Sequence, residues 1–173
     1  MIGGLDVGTT GCKLVVYDEI GTLQAYAYEE YQVSRAAGEH EIHAEVIWQT
    51  VCSVIRQAAE RVPELTAIGV TTFGEAFVLL DRENQVLLPS MLYTDPRGEQ
   101  ECEELCASLG ADMVTAAAGV KPHAMYSLPK IMWIKKHKPE VFVKVARILL
   151  LQDFIVYRLT GVAQIDYSLA ART

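Results

Sequence analysis

The chain of 173 residues is 51% hydrophobic and 21% charged, a globular composition that allows one large domain or two small ones. A formal net charge of −7 argues against a nucleic-acid-binding surface, although backbone amides still allow a local phosphate site. No apolar run reaches about 18 residues, so we expect no transmembrane helix and no membrane partner. The chain begins directly in a predicted strand without a targeting segment, and its four cysteines form no paired motif, which favours a cytoplasmic protein with reduced thiols.

The first 30 residues predict an antiparallel meander. Residues 2–5, 13–17 and 22–28 are apolar enough for strands, and residues 18–21 have the composition of a turn. The first hairpin therefore carries an acidic, hydroxyl-rich tip with the sequence DVGTTG. Residues 32–43 are polar and are interpreted as a loop.

Apolar residues at helical spacing predict an amphipathic helix from residue 44 to residue 62, ending before Pro63. Residues 65–74 predict a buried strand, and two further strands flank a hairpin turn at residues 82–85. Asp95 is a candidate N-cap for the next helix, with Pro96 at its first position and Gly110 at its end.

Residues 110–119 predict a short helix, and residues 127–161 predict two more helices with a buried strand near residues 148–151. Gly161 closes the last of these helices, and residues 163–173 are interpreted as the start of a new strand. This order of strands and helices predicts a mixed α/β domain.

The tip of the first hairpin carries groups that suit a phosphate. Glycines let a phosphate approach the backbone, hydroxyls and amides donate hydrogen bonds, and a carboxylate holds Mg²⁺ through water. The residues concerned are Asp6, Gly8, Thr9, Thr10, Gly11 and Lys13. Taken alone, they fit a tight hairpin with a polar tip equally well. The pattern is neither a Walker loop nor a Rossmann fingerprint, because a strand follows the glycines.

Longer stretches resemble a known family. Residues 4–23, GLDVGTTGCKLVVYDEIGTL, resemble the first phosphate motif of the sugar kinase, Hsp70 and actin superfamily. Residues 125–137, MYSLPKIMWIKKH, resemble the signature of the FGGY carbohydrate kinases, and the matching positions are Ser127, Lys130, Trp133, Lys136 and His137. Residues 93–105 and 157–173 are also similar to this family, so the resemblance covers essentially the whole chain.

The resemblance implies a ribonuclease-H-like domain of the actin-like ATPase superfamily, with a mixed β-sheet flanked by helices. It also implies ATP-dependent phosphorylation of a hydroxyl on a sugar or polyol, with Mg²⁺ as cofactor. Asp6 would then be the catalytic residue that acts with Mg²⁺ and the phosphates. The groups around the phosphates would be Gly8, Thr9, Thr10, Gly11 and Lys13.

On the substrate side, Gly74 and Glu75 match the two sugar-contact positions of the family. Tyr93 lies where an aromatic ring stacks on the sugar. Met125 or Tyr126 either lines the site or has a core or surface role. Asp95 either binds sugar hydroxyls or caps its helix. The substrate that we expect is a pentulose such as xylulose. Gluconate and glycerol remain alternatives, because Gly-Glu fits neither the xylulokinase nor the glycerol kinase pattern completely.

The family's catalytic base is an Asp in a stretch such as GGGDN, and this sequence has no such stretch. We therefore expect residues 1–173 to be the N-terminal, sugar-binding domain of such a kinase, incomplete at its C-terminus, inactive alone and without the second, ATP-binding domain. One alternative of another class is a non-catalytic domain that binds sugar or nucleotide. A ribonuclease H or integrase would need three or four clustered carboxylates. Homodimer formation is left open.

Overall fold

A computed structural model describes residues 1–36, 38–171 and 173. The chain forms two compact units, each built from two segments. Unit 1 comprises Met1–Val33 and His43–Phe73, and unit 2 comprises Ser34–Ile42 and Gly74–Thr173. None of the helices formed by the described residues combines the length and the apolar character needed to cross a membrane.

The elements, in chain order, are strands β1 to β9 and helices α1 to α7. The strands are β1 (Ile2–Val7), β2 (Gly11–Tyr17), β3 (Leu23–Glu30), β4 (Ser34–Ala36), β5 (Glu39–Ile42), β6 (Ala67–Thr72), β7 (Phe77–Leu80), β8 (Ser90–Met91) and β9 (Arg147–Leu150). The helices are α1 (Ala44–Arg61), α2 (Glu99–Leu109), α3 (Ala111–Ala118), α4 (Ser127–His137), α5 (Pro139–Phe142), α6 (Leu151–Thr160) and α7 (Tyr167–Ala170).

Unit 1 is a four-stranded sheet with the strand order β3-β2-β1-β6, and α1 packs against β2 and β3. The meander β1-β2-β3 is antiparallel, as predicted, whereas β6 runs parallel to β1. Side chains alternate along β1, with Leu5 and Val7 buried and Ile2 exposed, because successive residues of a strand point to opposite faces. Ile47 and Val51 are on the buried stripe of α1, which confirms the predicted amphipathic helix.

Unit 2 contains a three-stranded sheet, β4-β5-β8, and a two-stranded antiparallel sheet, β7-β9. All four residues of β7 are buried, which explains its continuous apolar sequence. A core cluster joins the strands to α4 and α7, and its buried members are Phe77, Leu79, Met91, Ile134, Leu150 and Leu169.

Four predictions about elements are wrong. Strand β6 was predicted to be buried, but every residue of Ala67–Thr72 is exposed or half-buried. The segment interpreted as a loop forms the β4–β5 hairpin, in which β5 also pairs with β8 and Ile42 is buried; Ala37, in the same segment, lies outside the described residues. The segment interpreted as a final strand contains α7, where the Asp166 side chain accepts a bond from the Leu169 amide; Arg172 again lies outside the described residues. Helix α2 begins at Glu99 behind Gly98, so Asp95 is not its N-cap.

Candidate functional site

The turn between β1 and β2 forms the tip predicted to bind phosphate. The Gly8 amide donates to the Gly11 carbonyl over 2.9 Å, which closes the turn. Asp6 and Lys13 are cross-strand partners, and the Lys13 Nζ lies 3.2 Å from the Asp6 Oδ2. Both side chains are about half exposed, so the carboxylate and the ammonium are accessible from solvent. The two predicted charged residues therefore form an ion pair at the base of the tip.

A buried tyrosine supports this turn. The Tyr31 hydroxyl donates to the Gly8 carbonyl, and the Tyr31 amide donates to the Thr10 carbonyl over 3.3 Å. Burial raises the pKa of Tyr31, so the phenol stays protonated and remains a donor. The Phe73 amide adds a bond to the Val7 carbonyl over 2.9 Å. The tip is therefore held by contacts on both of its flanks.

The two glycines of the tip differ in what they make possible. A Cβ at Gly11 would lie 2.7 Å from the Glu29 carbonyl oxygen and 2.8 Å from the Tyr28 hydroxyl. Packing against β3 therefore requires glycine at position 11, whether or not a phosphate binds. A Cβ at Gly8 would meet only the Gly11 carbonyl oxygen, at an ordinary 3.4 Å. Beside Gly8, Thr9 is half-buried and Thr10 is exposed.

The side chains at the tip provide too few ligands to hold Mg²⁺ unless a phosphate binds it as well. Among the described residues, no three His, Cys, Asp or Glu side chains are grouped so that they could hold a metal ion. Mg²⁺ commonly keeps several waters and binds through one or two carboxylates plus the phosphates of a substrate. The half-exposed Asp6 carboxylate is a suitable single ligand of this kind.

In unit 2, Glu75 occupies a tight turn. Its backbone φ of 66° is uncommon for a residue with a side chain, and the Ala76 amide donates to the Gly74 carbonyl over 2.8 Å. Neighbouring elements hold the turn in place. The Ser127 hydroxyl donates to the Glu75 carbonyl over 3.0 Å, and the Leu151 amide donates to the Ala76 carbonyl over 3.0 Å. Strained backbone of this type is typical of functional sites.

Tyr93 and Asp95 lie in one loop but have opposite environments. The Tyr93 side chain is exposed, which suits stacking on a ligand, whereas the Asp95 side chain is fully buried. The Asp95 carboxylate accepts two bonds from the Arg97 guanidinium, at 2.9 and 2.6 Å, and two from the amides of His40 and Arg97. Burial alone would raise the pKa of Asp95, but these hydrogen bonds lower it. The geometry therefore favours a structural role for Asp95 over direct contact with a sugar.

A buried charged cluster surrounds Asp95. The Arg97 Nη2 lies 2.6 Å from the Glu41 Oε1, and the guanidinium stacks over the Trp133 ring at 5.1 Å from its centroid. The Lys130 Nζ donates to the Asp95 carbonyl over 2.6 Å. Burial lowers the pKa of Lys130 to about 8. The cluster ties the loop to both the β4–β5 hairpin and α4.

Tyr126 immediately precedes α4 and is half-buried. Its ring makes an edge contact with His123, with 6.4 Å between centroids, and lines a largely apolar cavity together with Cys102. The Ser127 hydroxyl donates to the Glu75 carbonyl, so Tyr126, the residue before Ser127, lies close to the Glu75 turn. Tyr126 thus combines a packing role with a place next to a predicted sugar contact.

A profile of the FGGY family of carbohydrate kinases, N-terminal domain, matches residues 1–173. The chain belongs to the FGGY carbohydrate kinase family. Among its FGGY relatives, the chain is 31% identical over 173 residues to a xylulose kinase of Escherichia coli (strain K12), covering 98% of this chain and 35% of that protein. It is also 31% identical over 178 residues to a glycerol kinase of Thermococcus gammatolerans, covering 98% of this chain and 36% of that protein.

Solved structures of FGGY kinases share the fold. A ligand-bound xylulose kinase from Lactobacillus acidophilus has a TM-score of 0.92 at 26% identity, over 99% of this chain and 36% of that one. A xylulose kinase from Rhodospirillum rubrum has a TM-score of 0.93 at 28% identity, over 98% of this chain and 36% of that one. The predicted ribonuclease-H-like domain is therefore confirmed. The chain spans about a third of the length of the curated relatives it matches.

Three residues that support the candidate site were not predicted as site residues. Ser127 and Lys130 were recognised only as members of the FGGY signature, and Tyr31 was not singled out. A lysine on the apolar face of a helix needs hydrogen-bond acceptors once it is buried, so its position in the sequence is a signal that can identify Lys130. For Tyr31 and Ser127 the sequence carries no comparable signal, because their partners are carbonyl groups distant along the chain.

Proposed function

We propose that the intact protein containing this chain transfers a phosphoryl group from ATP to a hydroxyl of a sugar, most closely a pentulose such as xylulose. The observation that carries this proposal is the family match over residues 1–173, with 31% identity to a xylulose kinase. Similar identity to a glycerol kinase, and the shared fold with a gluconate kinase of Lactobacillus acidophilus, keep glycerol and gluconate as candidate substrates.

Within this proposal, residues 1–173 are the N-terminal, sugar-binding domain, and ATP binds mostly to a second domain. The chain's coverage of about 35% of its relatives' length supports this division. We expect the isolated chain to release no ADP from ATP and sugar, because it contains no GGGDN-like stretch to supply a general base.

On the phosphate side, Asp6 would hold Mg²⁺, and Lys13 would approach the phosphoryl group that is transferred. Thr9 and Thr10 would donate hydroxyl hydrogen bonds to phosphate oxygens at the tip. Bound Mg²⁺ would neutralise the charge that develops on the phosphates. The accessible Asp6–Lys13 pair, 3.2 Å apart at the strand end, supports these assignments.

On the sugar side, Glu75 would accept bonds from sugar hydroxyls, and the exposed Tyr93 ring would cover an apolar face of the sugar. Gly74 leaves space for the ligand, since a Cβ there would meet nothing within 4 Å. Tyr126 would border the same region. Asp95 would act indirectly, because its buried carboxylate secures the loop that carries Tyr93.

The test is ADP release by the intact protein with D-xylulose, gluconate and glycerol, comparing the parent with Glu75→Ala. We expect D-xylulose to be the best substrate and Glu75→Ala to raise its KM at least about tenfold, as for the loss of hydrogen bonds to a charged group. Glu83→Ala, an exposed glutamate in the turn after β7, is the control and should leave KM unchanged. No phosphorylation of any sugar would leave the non-catalytic binding domain as the better interpretation.

A further inference from the structure

We propose that Ser127 and Lys130 are positioning residues that fix the two sugar-binding segments of unit 2 relative to each other. This inference rests on the proposed function, because it takes the Glu75 turn and the Tyr93 loop as the sugar-binding segments. Both side chains lie in the first turns of α4 and are completely buried. Each donates to a backbone carbonyl of one segment.

Ser127 holds the Glu75 turn at its strained residue. Its hydroxyl donates to the carbonyl of Glu75 over 3.0 Å. A backbone φ of 66° at a glutamate persists only where surrounding contacts overdetermine the conformation. The Leu151 amide supplies a further external contact to this turn. Losing the Ser127 hydroxyl would remove a contact made directly to the Glu75 backbone, so the strained turn that sets the direction of the carboxylate would be held less firmly.

Lys130 contacts the Tyr93 loop on its buried side. Its Nζ donates to the carbonyls of Asp95, over 2.6 Å, and of Arg97, over 3.3 Å, and so spans Pro96 between them. The loop also lies directly on the helix backbone. A Cβ at Gly98 would be 3.1 Å from the Lys130 amide nitrogen. A buried ammonium that contacts the backbone on both sides of a proline restricts the path of the whole loop.

The spacing of Ser127 and Lys130 on α4 places both contacts on the same face of one helix. Residues three apart on a helix lie on the same face, so Ser127 and Lys130 present their donors side by side. Trp133, three residues further, packs under the Arg97 guanidinium at 5.1 Å and continues the same row. The spacing Ser-x-x-Lys-x-x-Trp thereby has a physical reason. One rigid helix sets the separation between the carboxylate of Glu75 and the ring of Tyr93.

The test measures KM for D-xylulose and for ATP in the intact protein. Ser127→Ala removes one donor, and Lys130→Met removes the ammonium while keeping a chain of similar length. We expect Ser127→Ala, which loses one hydrogen bond, to raise KM for D-xylulose about fivefold, and Lys130→Met, which loses two, to raise it about tenfold or more; both should change KM for ATP less than about twofold. A purely structural defect would lower the amount of active enzyme and kcat without this split.

Each variant has a matched control in the same unit. Ser90→Ala also removes a buried hydroxyl, but the Ser90 hydroxyl has no hydrogen-bond partner among the described residues. Lys136→Met removes a lysine from the same helix, α4, whose ammonium makes a partly exposed ion pair with Glu104. Both controls should leave KM for D-xylulose unchanged.

Hydrogen exchange provides a readout that needs no catalysis. In Ser127→Ala we expect the Ala76 and Leu151 amides to lose protection about tenfold, whereas Ser90→Ala should leave them as in the parent. If Ser127→Ala leaves KM for D-xylulose unchanged while Glu75→Ala raises it, the inference is overturned and the proposed function stands. If Glu75→Ala also has no effect, the proposed sugar site is wrong and the inference falls with it. Should Lys130→Met fail to fold, Ser127→Ala decides.

Discussion

At the scale of single residues, the candidate sites are shaped by side chains that donate to backbone carbonyls. Tyr31 donates to Gly8 at the phosphate tip, Ser127 donates to Glu75, and Lys130 donates to Asp95. Each donor is buried, and each acceptor lies in a turn or loop that has no partner strand. A buried carbonyl that loses its donor lowers the free energy of unfolding by more than the net contribution of the hydrogen bond. These positions should therefore be sensitive to small substitutions.

Tyr31→Phe tests this at the phosphate tip. Removing only the hydroxyl leaves the Gly8 carbonyl without this donor, so the free energy of unfolding should fall by about 1–3 kcal/mol, measured by urea denaturation. Tyr28→Phe is the control, because the contact of the Tyr28 hydroxyl with Glu30 is long, at 3.5 Å, and exposed. Equal losses in the two variants would contradict a supporting role for Tyr31.

At the scale of elements, α2 shows how glycines set the ends of a helix. Gly98 precedes its first residue with a φ of 104°, and Gly110 follows its last residue with a φ of 85°. Both conformations favour glycine. Only at Gly98 does another element approach closely, because the start of α4 lies against it. The predicted C-cap at Gly110 is thereby confirmed, and the predicted N-cap at Asp95 is replaced by a glycine.

Gly98→Ala and Gly119→Ala separate the cost of positive φ from the cost of close packing. Gly119, which follows α3, has a φ of 73° and the same left-handed conformation as Gly98, so alanine at either position costs about 1–2 kcal/mol of unfolding free energy. Only Gly98→Ala adds a methyl group 3.1 Å from the backbone of Pro129 and Lys130, whereas the methyl group at position 119 meets open space. We expect a clearly larger loss for Gly98→Ala by thermal or urea denaturation. Similar losses would mean that α4 does not press on this glycine.

At the scale of the whole molecule, the acidic chain contains a buried pair of opposite charges. The net charge is −7, yet the Asp95–Arg97 pair lies inside unit 2 and joins its loop to β5 through Glu41 and to α4 through Trp133. Breaking one partner of such a pair is costly, because the other charge stays buried without compensation. Unit 2 should therefore depend on the ionisation of Asp95.

The pH dependence of stability follows from the lowered pKa of Asp95. Because the folded state lowers this pKa below its ordinary value near 4, the stabilisation is present at pH 7 and is lost as pH falls through the folded-state pKa. Asp95→Asn should reduce the free energy of unfolding by roughly 3–5 kcal/mol at pH 7, and by clearly less near pH 3.

Asp18→Asn is the matched control for this experiment. Asp18 also has a lowered pKa, caused first by its hydrogen bond from the Thr22 amide, but it lies in a turn of unit 1 and its carboxylate bonds are exposed. Its replacement should have a small effect at both pH values, measured by urea denaturation. A loss in Asp95→Asn that is the same at pH 7 and pH 3 would show that the carboxylate charge is not what stabilises unit 2.

The elements whose signals are local can be predicted from the sequence. The meander, α1, the helix end at Gly110 and the strand near residue 148 follow from periodicity and from glycine or proline positions, and each is confirmed. The family also follows from short motifs of fixed spacing, since these occur within single stretches of chain.

Which polar side chains face solvent, and which make internal hydrogen bonds or ion pairs, depends on contacts between segments that are far apart in the sequence. The β4–β5 hairpin, in a mostly polar stretch of sequence, also pairs through β5 with β8, a strand about 50 residues further along the chain. Asp95 is a plausible cap and sugar ligand by sequence, but Arg97 and the His40 amide occupy its carboxylate. Such partners lie as many as 55 residues apart along the chain, so no local pattern encodes them. Burial and hydrogen bonding are properties of the assembled fold, and they separate residues that bind from residues that hold the binding segments in place.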